Sequence, residues 1–371
     1  MKKAVYAGSF DPITIGHTYI IDKASQLFDE VIVSIGINPD KKYMFGLDER
    51  KEMLEDISKN YNNVKIDTFE NKYLINYARE INANYIIRGI RSQIDFEYEK
   101  QMKNINNDIC NDIETIFLIP PRDLSDISSS FVKGLIGPES WEYLISTYVP
   151  KIVYEKLIYK YSKNIYFMFE VLRSKYKVGI NYNGFSSIYN QNTKKYHNLN
   201  HVKHCIKEWQ EVYNKLHDPE EVLLSLFYHD FIYDPKSDKN EERSVDRFVN
   251  DFPVSVNTIN LKGDKIKQLI MATKDHIIKK EYDEDFKYMV DIDLAILGSE
   301  TDVYDEYAKA IRLEYNHVSD EEYKKGRLQF LDSFVYDELE AGIYLTEYFK
   351  NKYDKQAFKN ILRERKGLQQ S

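Results

Sequence analysis

From residue 3 to about 160, short apolar runs alternate with segments whose apolar residues recur at helical spacing. AVYAG (4–8) reads as a strand buried on both faces. From His17 a helix follows, with Ile20, Ile21, Ala24, Leu27 and Phe28 on one face. EVIVSIGI (30–37) is a second strand and LDERKEMLEDI (47–57) a helix, with Asp48 and Glu49 suited to its positive end. VKIDTF (64–69), NYIIRGI (84–90) and IETIFLIPP (113–121) read as strands. LINYAREI (74–81), DFEYEKQMKNIN (95–106), ISSSFVKGLI (127–136) and VPKIVYEKLIYKY (149–161) read as helices. Repeated strand–helix units predict a parallel sheet covered on both faces.

Near Tyr161–Asn164 the alternation stops. VKHCIKEWQEVYNKL, EVLLSLFYHDF, IKQLIMATKDHI and VYDEYAKAIRLEY all carry helical apolar spacing, so the second half is expected to be all-α. This divides the chain into a domain over 1–161 and another over 164–371, with no Pro/Gly-rich linker between them.

Composition narrows the function classes. Of 371 residues, 43% are hydrophobic and the net charge is −8, so folded domains are expected and a general nucleic-acid binder is not. Cys110 and Cys205 form no CxxC pair or zinc spacing, which points to a reduced, cytoplasmic protein. No apolar signal region or membrane-length apolar stretch is read.

In an open parallel sheet, ligands bind at the carboxyl ends of the strands. The first strand ends in GSFDPITIGH (8–17). Gly8 allows close backbone approach, and His17 stands at a helix start, where the dipole favours an anion. Lys41 and Lys42 follow the second strand, Arg88 and Arg91 bracket the end of the fourth, and Ser128, Ser129 and Ser130 open the helix after the fifth. Taken singly, the serines would be an N-cap and the lysines solvated loop charges. Together, on one sheet edge, they point to a polyphosphate site.

GSFDPITIGH, NPDKKYMFGLDER, YIIRGIRSQIDFEYE and ISSSFVK, in that order, closely resemble the phosphopantetheine adenylyltransferase family of the nucleotidyltransferase superfamily, and TIGH fits its (H/T)xGH signature. The resemblance implies a Rossmann-like fold, commonly hexameric, that moves the adenylyl group of ATP to 4′-phosphopantetheine with Mg²⁺. It implies His17, Lys41 and Arg91 as catalytic. ATP would lie against Ser9, Phe10, His17, Gly89, Ile90, Arg91, Glu99, Leu124, Ser125, Asp126, Ile127, Ser128, Ser129 and Ser130. The second substrate would be held by Ser9, Lys41, Leu74 and Arg88. Leu124 and Asp126 stand where the family usually carries aromatic residues, so Leu124 would meet the base without a ring.

The second half concentrates metal-ligating residues. YHNLNHVKHC (196–205) carries His197, His201 and His204; FYHDFIYDP carries His229 and Asp230; ATKDH carries His276; DIDLAILG carries Asp291 and Asp293. Imidazole with carboxylate suits Mn²⁺, Fe²⁺, Co²⁺, Ni²⁺ or Zn²⁺. His229 and Asp230 are adjacent, so on a helix they would diverge by about 100°. They share an ion only near a helix end, which Pro235 is expected to help terminate. His197 and His204 read as supporting residues, and His217 and His317 as surface residues.

These blocks, with NEERS (240–244), resemble the HD superfamily of metal-dependent phosphohydrolases. The resemblance implies His201, His229, Asp230 and Asp293 as ligands, with Asp291 as rival for the last place. Glu241, Glu242 and His276 would act beside them. The expected whole is an α/β Rossmann-like parallel sheet joined to an all-α HD-type domain, and an enzyme with two activities. Two alternatives stand: the second half is a non-hydrolytic, metal-stabilised sensor or assembly module, or the first half uses another nucleotide or acceptor.

Overall fold

In the computed structural model of the chain, residues 1–252, 261–276, 282–334 and 342–370 are described. They fall into two compact units, Met1–Ser162 and Lys163–Ser371.

The first unit alternates strand and helix: β1 (Lys3–Gly8), α1 (Ile15–Leu27), β2 (Glu30–Ile37), α2 (Leu47–Ser58), β3 (Val64–Glu70), α3 (Leu74–Glu80), β4 (Tyr85–Gly89), α4 (Gln93–Ile109) and β5 (Glu114–Leu118). Four helices follow: α5 (Arg122–Ser125), α6 (Ser129–Leu135), α7 (Trp141–Ile145) and α8 (Lys151–Tyr161). All neighbouring strands are parallel, in the order β3-β2-β1-β4-β5. The chain runs outward from β1 to β3 and then crosses to β4 on the other side. A crevice therefore opens where the order reverses, at the carboxyl ends of β1 and β4. Residues 4–7 and 31–35 of the inner strands are buried, whereas the edge strand β3 is largely half-buried or exposed. Ile75, Tyr77 and Ala78 of α3 pack on Val5, Ile32 and Ile86 of the sheet.

One expectation for α1 fails. Ile20, Ile21 and Ala24 are buried, but Leu27 is 54% exposed. The helix ends at Leu27, and Phe28 caps it in extended backbone with its ring against Tyr85 at 5.2 Å. The apolar face therefore stops one turn short of Leu27.

The second unit is helical: α9 (Ile165–Tyr176), α10 (Tyr182–Tyr189), α11 (Leu199–Val212), α12 (Pro219–Tyr228), α13 (Asn240–Asp251), α14 (Gly263–Ala272), α15 (Glu284–Leu294), α16 (Thr301–Glu314), α17 (Asp320–Ser333) and α18 (Glu347–Gln370). Residues 221–228 of α12 are all buried, as in a helix packed on every side. Phe185 anchors an aromatic core, with Phe169 at 4.5 Å and Phe227 and Phe231 at 5.4 Å between ring centroids. Each such buried ring contributes about 1.5–3 kcal/mol. The IKQLIMATKDHI segment is shorter as a helix than expected: α14 ends at Ala272, and Ile277 lies outside the described residues. Among the described residues no helix is long and apolar enough to cross a membrane.

Candidate functional site

The crevice of the first unit holds a cavity of about 270 Å³ lined by Ser9, His17, Lys41, Arg88, Gly89, Arg91, Glu99, Leu124, Ile127 and Ser128, Ser129 and Ser130, among others. Thr14 caps α1, and its backbone N–H donates to His17 Nδ1 at 3.0 Å. Nδ1 must therefore be the acceptor, which leaves the proton on Nε2 of a neutral ring. Burial, with Arg91 adding to it, lowers the His17 pKa to about 4, so the ring stays neutral and donates from Nε2 near neutral pH. Gly16 permits this start of α1, since a Cβ there would stand 3.2 Å from the Ile127 carbonyl oxygen.

The cations are held differently. Lys41 Nζ donates to the Ser9 hydroxyl at 3.4 Å. Arg88 forks onto the Glu99 carboxylate and donates to the Ala7 carbonyl at 2.9 Å. Arg91 Nε donates to Asp95 at 3.1 Å. Ser128 caps α6, accepting from Phe131 N–H at 3.0 Å, and Ser129 donates to the Pro12 carbonyl at 2.8 Å. Leu74 lies in an adjoining cavity of about 290 Å³ that shares Ser9, Arg88 and Glu99.

Several residues expected beside the nucleotide do not line this cavity. Phe10 is 1% exposed, its ring edge-on to Tyr6 and His17, and it does not line the cavity. Ile90 is buried in the core, and neither Ser125 nor the exposed Asp126 lines the cavity. Glu99 serves Arg88 rather than standing free. Other residues escaped sequence reading. Asp11, 1% exposed, accepts from Met44 and Phe45 N–H and from Lys133. Arg50 reaches the Ser9 carbonyl at 2.8 Å and stacks 4.0 Å from the Tyr43 ring. Asp11 sits inside the GSFDP block, which was its only sequence signal.

In the second unit, α11, the end of α12 and the end of α15 bring four side chains together. His201 Nε2 and His229 Nε2 are 3.0 Å apart. Asp230 Oδ2 lies 3.4 Å from the first and 3.0 Å from the second, and Asp293 Oδ1 lies 3.1 and 3.3 Å from them. His229 Nδ1 faces the Leu226 carbonyl at 3.0 Å, so it carries the ring proton and leaves the Nε2 lone pair toward the cluster. Two inward nitrogens and two carboxylate oxygens form a donor set that fits a divalent ion. Burial works against charging His229, but Asp230 and Asp293 outweigh it and raise its pKa.

α12 ends at Tyr228 with His229 as its cap, still in helical backbone, and both His229 and Asp230 reach the cluster from this helix end, their nearest atoms 3.0 Å apart. Pro235 lies well beyond this stop and does not cause it. Asp291 is not a rival ligand. Its carboxylate is 0% exposed and accepts from Leu345 N–H, Thr346 N–H and the Thr346 hydroxyl at 2.7, 2.8 and 2.6 Å. Burial, partly offset by those bonds, raises its pKa to about 6. His276 Nε2 lies 3.3 Å from Asp293 Oδ2. Glu241 lines the cavity beside the cluster, whereas Glu242 pairs with Lys274 and does not line it.

Supporting residues were also missed. Glu314 accepts from the N–H groups of Lys195, Tyr196 and His197 and meets the His197 ring at 2.7 Å. Buried Lys194 donates to the Asp230 and Phe231 carbonyls at 2.8 and 3.0 Å. Cys205 lies one turn after His201, with its sulfur 3.7 Å from Nε2. His204 Nε2 is buried without a partner among the described residues, and His217 and His317 are exposed.

A cytidylyltransferase-like family model matches residues 5–134. The phosphopantetheine adenylyltransferase of Neisseria meningitidis serogroup C is 54% identical over 157 residues, covering 42% of this chain and 92% of that protein. That of Chromobacterium violaceum is 51% identical over 163 residues, 44% of this chain and 99% of that protein. Among solved structures, Plasmodium falciparum nicotinic acid mononucleotide adenylyltransferase complexed with NaAD is similar at a TM-score of 0.34 and 23% identity, over 43% of this chain and 95% of that one.

Proposed function

The chain belongs to the phosphopantetheine adenylyltransferase family through its N-terminal unit, and from that membership we propose that this unit transfers the adenylyl group of ATP to 4′-phosphopantetheine, giving dephospho-CoA and pyrophosphate. The observation that carries the reading is the convergence of His17, Lys41, Arg88 and Arg91 with the serine-rich start of α6 on one cavity at the β1–β4 crevice. The substrate phosphate attacks the α-phosphorus in line, and catalysis is alignment plus neutralisation of charge. His17 donates from Nε2 to a phosphate oxygen; Lys41 and Arg91 oppose charge on the departing pyrophosphate. Arg88, held by Glu99, and Leu74 support binding of the pantetheine substrate in the adjoining cavity. Mg²⁺, bound with ATP, would add further neutralisation there. Exposed Ile94, Phe96, Tyr98, Ile105 and Ile109 on α4 support assembly as a homo-oligomer. Pyrophosphate release from ATP and 4′-phosphopantetheine by the full chain tests the reading, and its absence overturns it.

The second unit is read as a metal-dependent phosphohydrolase, supported by the convergence of His201, His229, Asp230 and Asp293 beside a cavity of about 520 Å³. These four residues would hold Mn²⁺, Fe²⁺, Co²⁺, Ni²⁺ or Zn²⁺, which supplies an acidified water and positive charge beside phosphorus. Asp293 orients His276 toward the cavity, and Glu241, half-buried near Asp230, is placed to accept a proton from water. Metal content and phosphate release with each ion test this reading. Metal retention without turnover of any phosphate ester, together with altered adenylyl transfer, would favour the sensor instead.

A further inference from the structure

The cavity of the second unit is larger than the ligand cluster requires. At about 520 Å³ it falls in the range that takes a whole small molecule, about 300–1,000 Å³. Asp230, Asp293 and His276 line one part, and α17 lines another. Along α17, Tyr323, Gly326, Arg327 and Phe330 follow the spacing that puts four residues on one helix face, and all four line the cavity. Rings connect the two parts. Arg327 donates to the Tyr307 hydroxyl at 3.1 Å, Tyr307 meets Tyr196 at 4.6 Å, and Tyr196 meets His201 at 4.7 Å.

Three observations bear on what fills the space. Gly326 stands mid-helix with nothing within 4 Å of where a Cβ would be. Gly326 is exposed and lines the cavity, so the space beside the two rings is open at this point and a larger side chain there would extend into it. The lining cations are already compensated: Arg327 pairs with Glu364 at 2.8 Å, and Lys274 with Glu242 at 2.5 Å. Among the described residues, nothing but the cluster end of the cavity suits a phosphate. Finally, the Tyr196 hydroxyl is buried without a hydrogen-bond partner among the described residues, a donor that a ligand oxygen would satisfy.

We propose that this cavity takes a phosphate monoester whose leaving group carries a flat aromatic ring. The ring lies against Tyr323 and Phe330 over Gly326, and the single phosphate reaches the Asp230–Asp293 end and the Tyr196 hydroxyl. The proposal rests on reading the cluster as a hydrolytic metal centre. In the step, a bond forms between water oxygen and phosphorus and the ester P–O bond breaks. A proton from water passes to the leaving oxygen, giving the aromatic alcohol and inorganic phosphate.

The probe is 1-naphthylmethylphosphonate, whose P–C bond is not hydrolysed, titrated calorimetrically into the Mn²⁺-loaded full chain. It is expected to bind more tightly than methylphosphonate, and Gly326→Leu to weaken it about tenfold while melting no lower than the parent. Phe330→Leu is expected to act in the same direction and to a smaller degree, a second route should Gly326→Leu fold poorly. Equal binding of the two phosphonates, or no loss in either variant, overturns the proposal. Turnover separates it from the reading beneath. Hydrolysis of glycerol phosphate as fast as 1-naphthyl phosphate, unchanged in Gly326→Leu, leaves a phosphohydrolase and removes the ring slot. Ring-dependent binding with no hydrolysis under any metal leaves the slot and removes the phosphohydrolase.

Discussion

The two units build their sites from different materials. In the first, the site lies at strand ends, and backbone turns do much of the positioning: Thr14 N–H fixes the His17 tautomer, and the Ala7 and Ser9 carbonyls hold Arg88 and Arg50. In the second, side chains from three helices converge, and buried Glu314 and Lys194 hold the segments that carry them. The charges differ too. In the first site Arg88 and Arg91 pair with carboxylates but Lys41 meets the Ser9 hydroxyl and the Tyr43 ring, whereas in the second both Arg327 and Lys274 meet carboxylates. A strand-end site can present positive charge to a polyphosphate; the helical site leaves charge to a bound ion.

The largest effect expected from breaking this contrast comes at His17. His17→Ala should lower adenylyl transfer by about 10²–10³ while leaving metal binding by the second unit intact, as parallel pyrophosphate and metal assays would reveal. Asp230→Ala is the counterpart. Metal affinity should fall by about 100-fold or more, with adenylyl transfer unchanged. A fall in adenylyl transfer instead would mean the second unit regulates the first.

Asp291→Ala separates scaffold from ligand. It strands the Leu345 and Thr346 donors, so stability should drop by about 1–3 kcal/mol while metal content persists. Metal loss in a folded Asp291→Ala protein would restore it as a ligand. Smaller again is Leu124→Tyr. A ring at the cavity wall should tighten ATP binding by about 0.5–1.5 kcal/mol, read by titration; unchanged binding would put residue 124 away from the base.

A separate effect is on pH. The His17 pKa is lowered from 6.5 to about 4, so the unfolded chain binds this proton more tightly than the folded one. Its contribution to stability is therefore complete above about pH 6.5 and lost as pH falls toward 4. An NMR titration of the His17 ring should place its midpoint near 4, and an ordinary midpoint would mean the ring is not buried beside Arg91.

Much of this was legible along the chain. The strand–helix alternation, the parallel sheet and the change to helices near 161 followed from apolar spacing, because burial on a sheet or helix face imposes its own period. The first site was also legible in large part, since its residues cluster in loops directly after their strands, where topology alone brings them to one edge. Yet Asp11, Arg50 and the Arg88–Glu99 pair were not, because their partners are distant in sequence.

The second site shows where such reading stops. Asp291 and Asp293 stand two apart on α15, so they point about 200° apart and only one can face the histidines. Spacing required that choice without making it. Packing made it: one face of α15 meets His201 and His229, and the other meets the Leu345–Thr346 backbone. The same holds for His229 and Asp230 at the end of α12, whose shared cluster is completed by His201 and Asp293 from two other helices. Local sequence determines which residues lie on one face of an element. Only the assembled core decides what that face meets, because burial and hydrogen bonding are satisfied between elements far apart in the chain.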